Sequence, residues 1–202
     1  MQELKHALWK EIENNIKSYI VICAVFIASV CAALAMHTDE IAKEEVRLYI
    51  TDVLSGLSHY GSNGADIFFA AFKMYLPFAT WMLLSSFTIL GTPIALICIF
   101  MEGFSHGTVI CTISTVFGAK AFLLFLCAIL PHALFTVPGC LMYCCHAMKH
   151  SHQLFSGKRE YKKDLFLPLV HATLFLTSVC IGALVQAYIE PVFLTAISKY
   201  FI

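Results

Sequence analysis

Charge is scarce in this 202-residue chain. Charged residues make up 13% of it, thirteen Lys and Arg balanced by thirteen Asp and Glu, and none falls between Ala121 and Met148. A soluble domain carries about 25% charged residues, so much of this surface is expected to face lipid. Several function classes are excluded by what else is missing. There is no basic tail of the kind that would suggest nucleic acid. The apolar runs are continuous rather than alternating, which excludes a transmembrane β-barrel. No nucleophile–base arrangement, glycine-rich phosphate loop or pair of carboxylates is present, so nothing points to an enzyme or to a cofactor. No pair of cysteines lies in a polar loop of the kind that disulfides staple. Cys23, Cys31, Cys98, Cys111, Cys127, Cys140 and Cys180 sit inside apolar runs, where a thiol behaves as a small hydrophobe.

What is present is apolar length. Hydrophobic residues make up 59% of the chain and mean hydropathy is +0.79. A helix rises about 1.5 Å per residue, so about twenty apolar residues cross a hydrocarbon core of about 30 Å. Five stretches qualify, at about 18–36, 67–90, 94–117, 121–148 and 165–189. The chain is therefore read as a single all-α, polytopic membrane domain over 1–202. Ala33-Leu34-Ala35 resembles a signal-peptidase site, but the preceding apolar run exceeds the usual 7–15 residues and follows an acid-containing segment. An uncleaved anchor is expected.

Two soluble segments stand out. Met1–Lys17 has Leu4, Leu8, Ile12 and Ile16 at helical spacing between mixed charges, which fits a helix lying on the membrane surface. The 37–66 segment is longer than two spans need. Within it Val46, Tyr49, Ile50, Val53, Leu54 and Leu57 form one apolar helix face opposite Glu40, Lys43, Glu44, Arg47 and Asp52. That face either covers the protein's own bundle or presents a docking surface to a partner outside the membrane, and Ile50 and Leu54 are the residues expected to carry the docking surface. Orientation follows from Lys and Arg. With the N-terminus inside, eight fall inside, five of them in the 149–163 loop, and five fall outside. The bias favours N-in and C-out, which places the amphipathic 39–57 helix outside the cytoplasm.

The centre of the chain is a hairpin of two spans joined by Gly118-Ala119-Lys120. From Ile94 to Phe117 the only carboxylate is Glu102, with His106 one turn on. His106 and His132 lie at equal sequence distance from Ala119, so an antiparallel hairpin sets them at similar depth. Gly103-x-x-x-Gly107 is a small-residue spacing that lets helices approach closely, and it is expected to pack the two hairpin spans together. Glu102, His106, His132 and His171 are candidates for a proton or ion relay, since ionisable groups inside a membrane are functional candidates by default. The competing reading is that they satisfy backbone freed by Pro131 and Pro138. Cys144, Cys145, His146, His150 and His152 are metal-ligand types, but they form one cluster where structural zinc sites use two, so no metal is expected.

The order of these features resembles stage II sporulation protein M and its wider family of integral membrane proteins. The resemblance rests on Ile89-Leu90-Gly91-Thr92-Pro93-Ile94, Met101-Glu102-Gly103-Phe104-Ser105-His106-Gly107, Gly118-Ala119-Lys120-Ala121, Ile129-Leu130-Pro131-His132 with Pro138, and Gln186-Ala187-Tyr188-Ile189-Glu190-Pro191. It implies a protein of the sporulation septum and engulfing mother-cell membrane. Such a protein acts as a scaffold that recruits two peptidoglycan-degrading partners, stage II sporulation proteins P and D, for septal wall thinning and forespore engulfment. Its other surroundings are membrane lipid, and self-association is open. Many of the wider relatives carry an acidic residue four positions after the His of Leu-Pro-His. Here that position is Thr136, which weakens a relay and leans toward the sporulation branch. The rivals are a small transport component built on Glu102, His106 and His132, and a stress-linked relative outside sporulation.

Overall fold

The structure, a computed structural model, describes residues 13, 15–36, 40–56, 64–155 and 166–201. The N-terminal amphipathic segment up to residue 12, the turn at 59–63 and the basic cluster at 158–163 lie outside them. Every regular element described is helical. In chain order these are α1 (Ile16–Leu34), α2 (Glu40–Gly56), α3 (Gly64–Ser85) and α4 (Gly91–Phe117), then a 3-10 turn (Gly118–Lys120) and a single helical turn α5 (Ala121–Leu124). A π-helical turn (Phe125–Ile129) leads into α6 (Leu130–Phe155), followed by α7 (Phe166–Tyr188) and the short α8 (Glu190–Ile197).

Four apolar helical stretches are long enough to cross a membrane, and one of them runs 65 residues from Gly91 to Phe155. Straight, it would be about three bilayer cores long. It instead folds back at Gly118, the only residue with positive φ among those described (φ 56°), a conformation that a side chain disfavours. The pairing is antiparallel. Cys144 Sγ lies 3.5 Å from the Ala95 carbonyl, and Thr92 donates to the Met148 carbonyl at 3.5 Å. The His106 and His132 rings stand 6.2 Å apart, at matched depth. The stretch thus contributes two passes, and the molecule is an all-α, polytopic membrane protein of five passes.

The helices are held by two apolar clusters at different heights. The larger joins Ile22 of α1, Met82 of α3, Ile99 of α4, Tyr143 of α6 and Phe175 of α7. Tyr143 stacks on Phe175 with ring centroids 5.1 Å apart, and its hydroxyl shares a 2.8 Å hydrogen bond with Ser86. The smaller sits at the turn end of the hairpin. It combines Ile113, Leu124 and Ile129 with Ile50 of α2 and Leu194 and Ile197 of α8.

Two expectations are corrected here. The Gly103/Gly107 seam packs against α1, not against the other hairpin span. A Cβ on Gly103 would press into Ser29 and come within 2.8 Å of the Phe26 carbonyl, and one on Gly107 would sit 2.8 Å from both Ala33 Cβ and the Val30 carbonyl. The reason is geometric: α4 turns this stripe towards α1 while its histidine-bearing side faces α6. The α6–α7 contact uses small residues of its own, Gly139 against Ser178 and Gly182 against Thr136. The second correction concerns α2. Leu54 is 2% exposed and Ile50 packs into the turn-end cluster, so these two residues attach α2 to its own bundle. The exposed apolar row is Leu48 (63%), Tyr49 (69%) and Val53. A helix of this length has room for two apolar rows, and burial of the Ile50/Leu54 row leaves the other outward.

Gly91 and Pro93 open α4. A Cβ on Gly91 would collide with the Ser85 carbonyl and reach 3.1 Å from Ser151 Cβ. Ser151 stitches the same corner, donating to the Ile89 carbonyl at 2.7 Å and accepting from the Thr92 amide at 3.2 Å. Pro93 falls in the first turn of α4, where its missing N–H costs nothing.

Candidate functional site

The site begins with a proline. Pro131 has no N–H and its ring crowds the preceding turn. The chain widens into a π turn before it, with the Leu130 amide reaching back to the Phe125 carbonyl. Such turns release backbone groups from the regular ladder. The amide of His132 is directed to Glu190 Oε1 at 3.3 Å, and the same oxygen takes His132 Nδ1 at 2.6 Å. A carboxylate only accepts, so His132 donates from both its backbone and its ring.

Glu190 is brought there by a second proline. The helical ladder breaks between Tyr188 and Glu190, and Pro191 falls in the first turn of α8. Glu190, on the first turn of α8, turns inward and is only 4% exposed. Its carboxylate faces the opening turn of α6 and is held there by the His132 amide and ring. The backbone-satisfying role thus falls to Glu190, and His132 receives its carboxylate from a residue 58 positions away rather than from position 136. Thr136 is buried and donates to the His132 carbonyl at 3.2 Å. Pro138 lies on the exposed side of α6, away from this contact.

Glu102 and His106 sit across from this pair, near the middle of α4. His106 Nδ1 lies 2.9 Å from the Glu102 backbone carbonyl. A carbonyl accepts, so Nδ1 donates to it, and in the neutral ring Nε2 presents a lone pair. The Glu102 side chain is 8% exposed, and its Oε1 is 3.9 Å from His106 Nδ1, beyond hydrogen-bonding reach. Glu102 Oε1, His106 Nε2 and Gln186 Oε1 are buried and have no hydrogen-bond partner. All three residues line one cavity of about 450 Å³ between α3, α4, the start of α6 and α7, together with Tyr75 and His132.

His171 does not join this group. Its ring stacks on His146, centroids 3.9 Å apart and planes within 5°. His146 and His150 are buried near the far end of α6, whereas His152 is exposed. Cys144 Sγ is committed to the Ala95 carbonyl. Among the described residues no three His, Cys, Asp or Glu side chains converge as metal ligands. Glu190 and Gln186 are the residues that reading the sequence for chemistry did not assign to the site. The available signal was their spacing of four, which puts them on one side of the chain just before a proline.

Compared with known protein families, residues 19–191 match the family described as Stage II sporulation protein M. No curated protein and no solved structure gives a significant match.

Proposed function

This chain belongs to the stage II sporulation protein M family, and from that premise we propose that it is a membrane scaffold of the engulfment machinery rather than a hydrolase. In this reading it sits in the sporulation septum and engulfing mother-cell membrane. It recruits the wall-degrading stage II sporulation proteins P and D, whose action thins the septal wall. The observation that carries the reading is the arrangement of α2. This helix is polar enough to lie outside the bilayer, is anchored on the turn end of the hairpin through Ile50, buries Leu54, and leaves Leu48, Tyr49 and Val53 outward. Apolar and aromatic side chains held on a fixed helix are what a protein partner recognises. The Lys and Arg asymmetry puts this end on the wall side.

Replacing Leu48 and Tyr49 together with Asp is expected to reduce co-purification of both hydrolases from sporulating membranes by about tenfold or more, with membrane levels unchanged, as loss of about 2 kcal/mol at an interface core implies. Full recovery of both partners with this variant refutes α2 as the recruiting surface.

A further inference from the structure

The cavity beside Glu102 has a composition that selects its occupant. Its three unpartnered buried atoms are Glu102 Oε1, His106 Nε2 and Gln186 Oε1, and with the His106 ring neutral and its proton on Nδ1 all three are acceptors. No Lys or Arg lines the cavity, and the nearest titratable group to the Glu102 carboxylate is the His106 ring at 3.9 Å, beyond hydrogen-bonding reach, a costly arrangement for a carboxylate inside a membrane. A ligand that completes the site must bring donors and positive charge together. A primary ammonium brings three N–H donors and one charge to three acceptors and one carboxylate. A hydroxyl brings one donor and no charge. A metal ion lacks the converging ligand set. Ser105, Tyr75 and His132 complete the polar lining, and the apolar walls are Met74, Phe78, Met101, Val109, Ala128 and Ile129. Met74, Met101 and Val109 are exposed on the lipid-facing surface, so the cavity opens sideways between α3 and α4, and an apolar chain attached to the ammonium would lie along them.

We propose that this cavity is a binding site for a primary ammonium group entering from the lipid side between α3 and α4. The chemistry is shared by aminolipid headgroups and by free amines, and the test separates them. The intact protein is placed in nanodiscs of equal phosphatidylethanolamine, phosphatidylcholine and phosphatidylglycerol, and lipid retained on release is read by native mass spectrometry. Phosphatidylcholine carries the positive charge without N–H donors, and phosphatidylglycerol carries neither. The expected result is retention of phosphatidylethanolamine over both others, reduced about tenfold or more by Glu102→Gln, the loss that accompanies removal of a charge-assisted hydrogen bond. Met101→Trp, which fills the mouth without touching a polar atom, should abolish the adduct while leaving the protein monodisperse. Displacement by free ethanolamine identifies the source as a free amine, and retention against it identifies the lipid headgroup. Equal retention of the three lipids, absence of any adduct, or an adduct unchanged in both variants overturns the proposal.

Discussion

Glu190→Ala is expected to lower the stability of the purified protein by about 3–5 kcal/mol. The substitution leaves two buried donors, the His132 amide and its Nδ1–H, facing an apolar gap, and each orphaned donor costs about 1–3 kcal/mol. Thermal unfolding in mild detergent is the measurement, with Glu190→Gln as the graded comparison. Glutamine keeps an acceptor oxygen but loses the charge, so its cost should be about 1–2 kcal/mol. Glu102→Gln provides the contrast. Its Oε1 makes no hydrogen bond, so the same chemical change one helix away should leave the unfolding temperature nearly unchanged. Equal losses for the two glutamine variants would show that Glu102 is also a structural carboxylate, and the distinction between the two acids would fail.

Gly103→Leu is expected to disrupt the seat of the first span. A Cβ alone meets Ser29 and the Phe26 carbonyl. The carbonyl is backbone and can yield only if α1 moves off α4. Overpacking of a fixed interface costs about 1–3 kcal/mol, occasionally more, and here it acts on the contact that attaches the first span to the bundle. Size-exclusion profiles and unfolding temperatures should show loss of the monodisperse form. The milder pair Gly103→Ala and Ser29→Ala tests the contact itself. Removing the Ser29 hydroxyl should recover about 1 kcal/mol of the alanine defect at position 103, a coupling that independent sites do not show. Additive effects would place the Gly103 contact elsewhere.

Both effects rest on pairings that reading along the chain could only partly reach. The hairpin was readable because its causes are local. Apolar length sets a crossing, Gly118 permits the reversal, and an antiparallel pair about a known turn brings His106 and His132 level. The partner of the Gly103/Gly107 stripe was not readable. A stripe states that some helix comes close, and choosing between α1 and α6 requires the rotation of α4 about its axis. Similarly, periodicity shows that α2 is amphipathic, but the buried row is decided by where Ile110, Ile113 and Phe117 present a surface. Ile50 faces it and Leu54 is buried on the same row, whereas Tyr49 and Val53 stay exposed.

The candidate site divides in the same way. Glu102, His106 and His132 could be picked out one by one, because an ionisable group in an apolar run is conspicuous whatever surrounds it. Glu190 looked like the polar end of a span, since a carboxylate before a proline ordinarily marks a membrane boundary. Its burial against His132 follows from α8 continuing past that boundary to pack on the hairpin turn, with Lys120 Nζ donating to the Tyr200 carbonyl at 2.8 Å. The sequence alone determined the membrane class, the passes, the reversal at Gly118 and the family, because the hydrocarbon thickness and the helical rise act on local composition. Only the tertiary structure decided which helix fills the glycine stripe, which row of α2 is free, and which carboxylate is paired and which is left facing the cavity. Those depend on helix rotation and long-range contact, and residues 58 apart carry no local sign that they will meet.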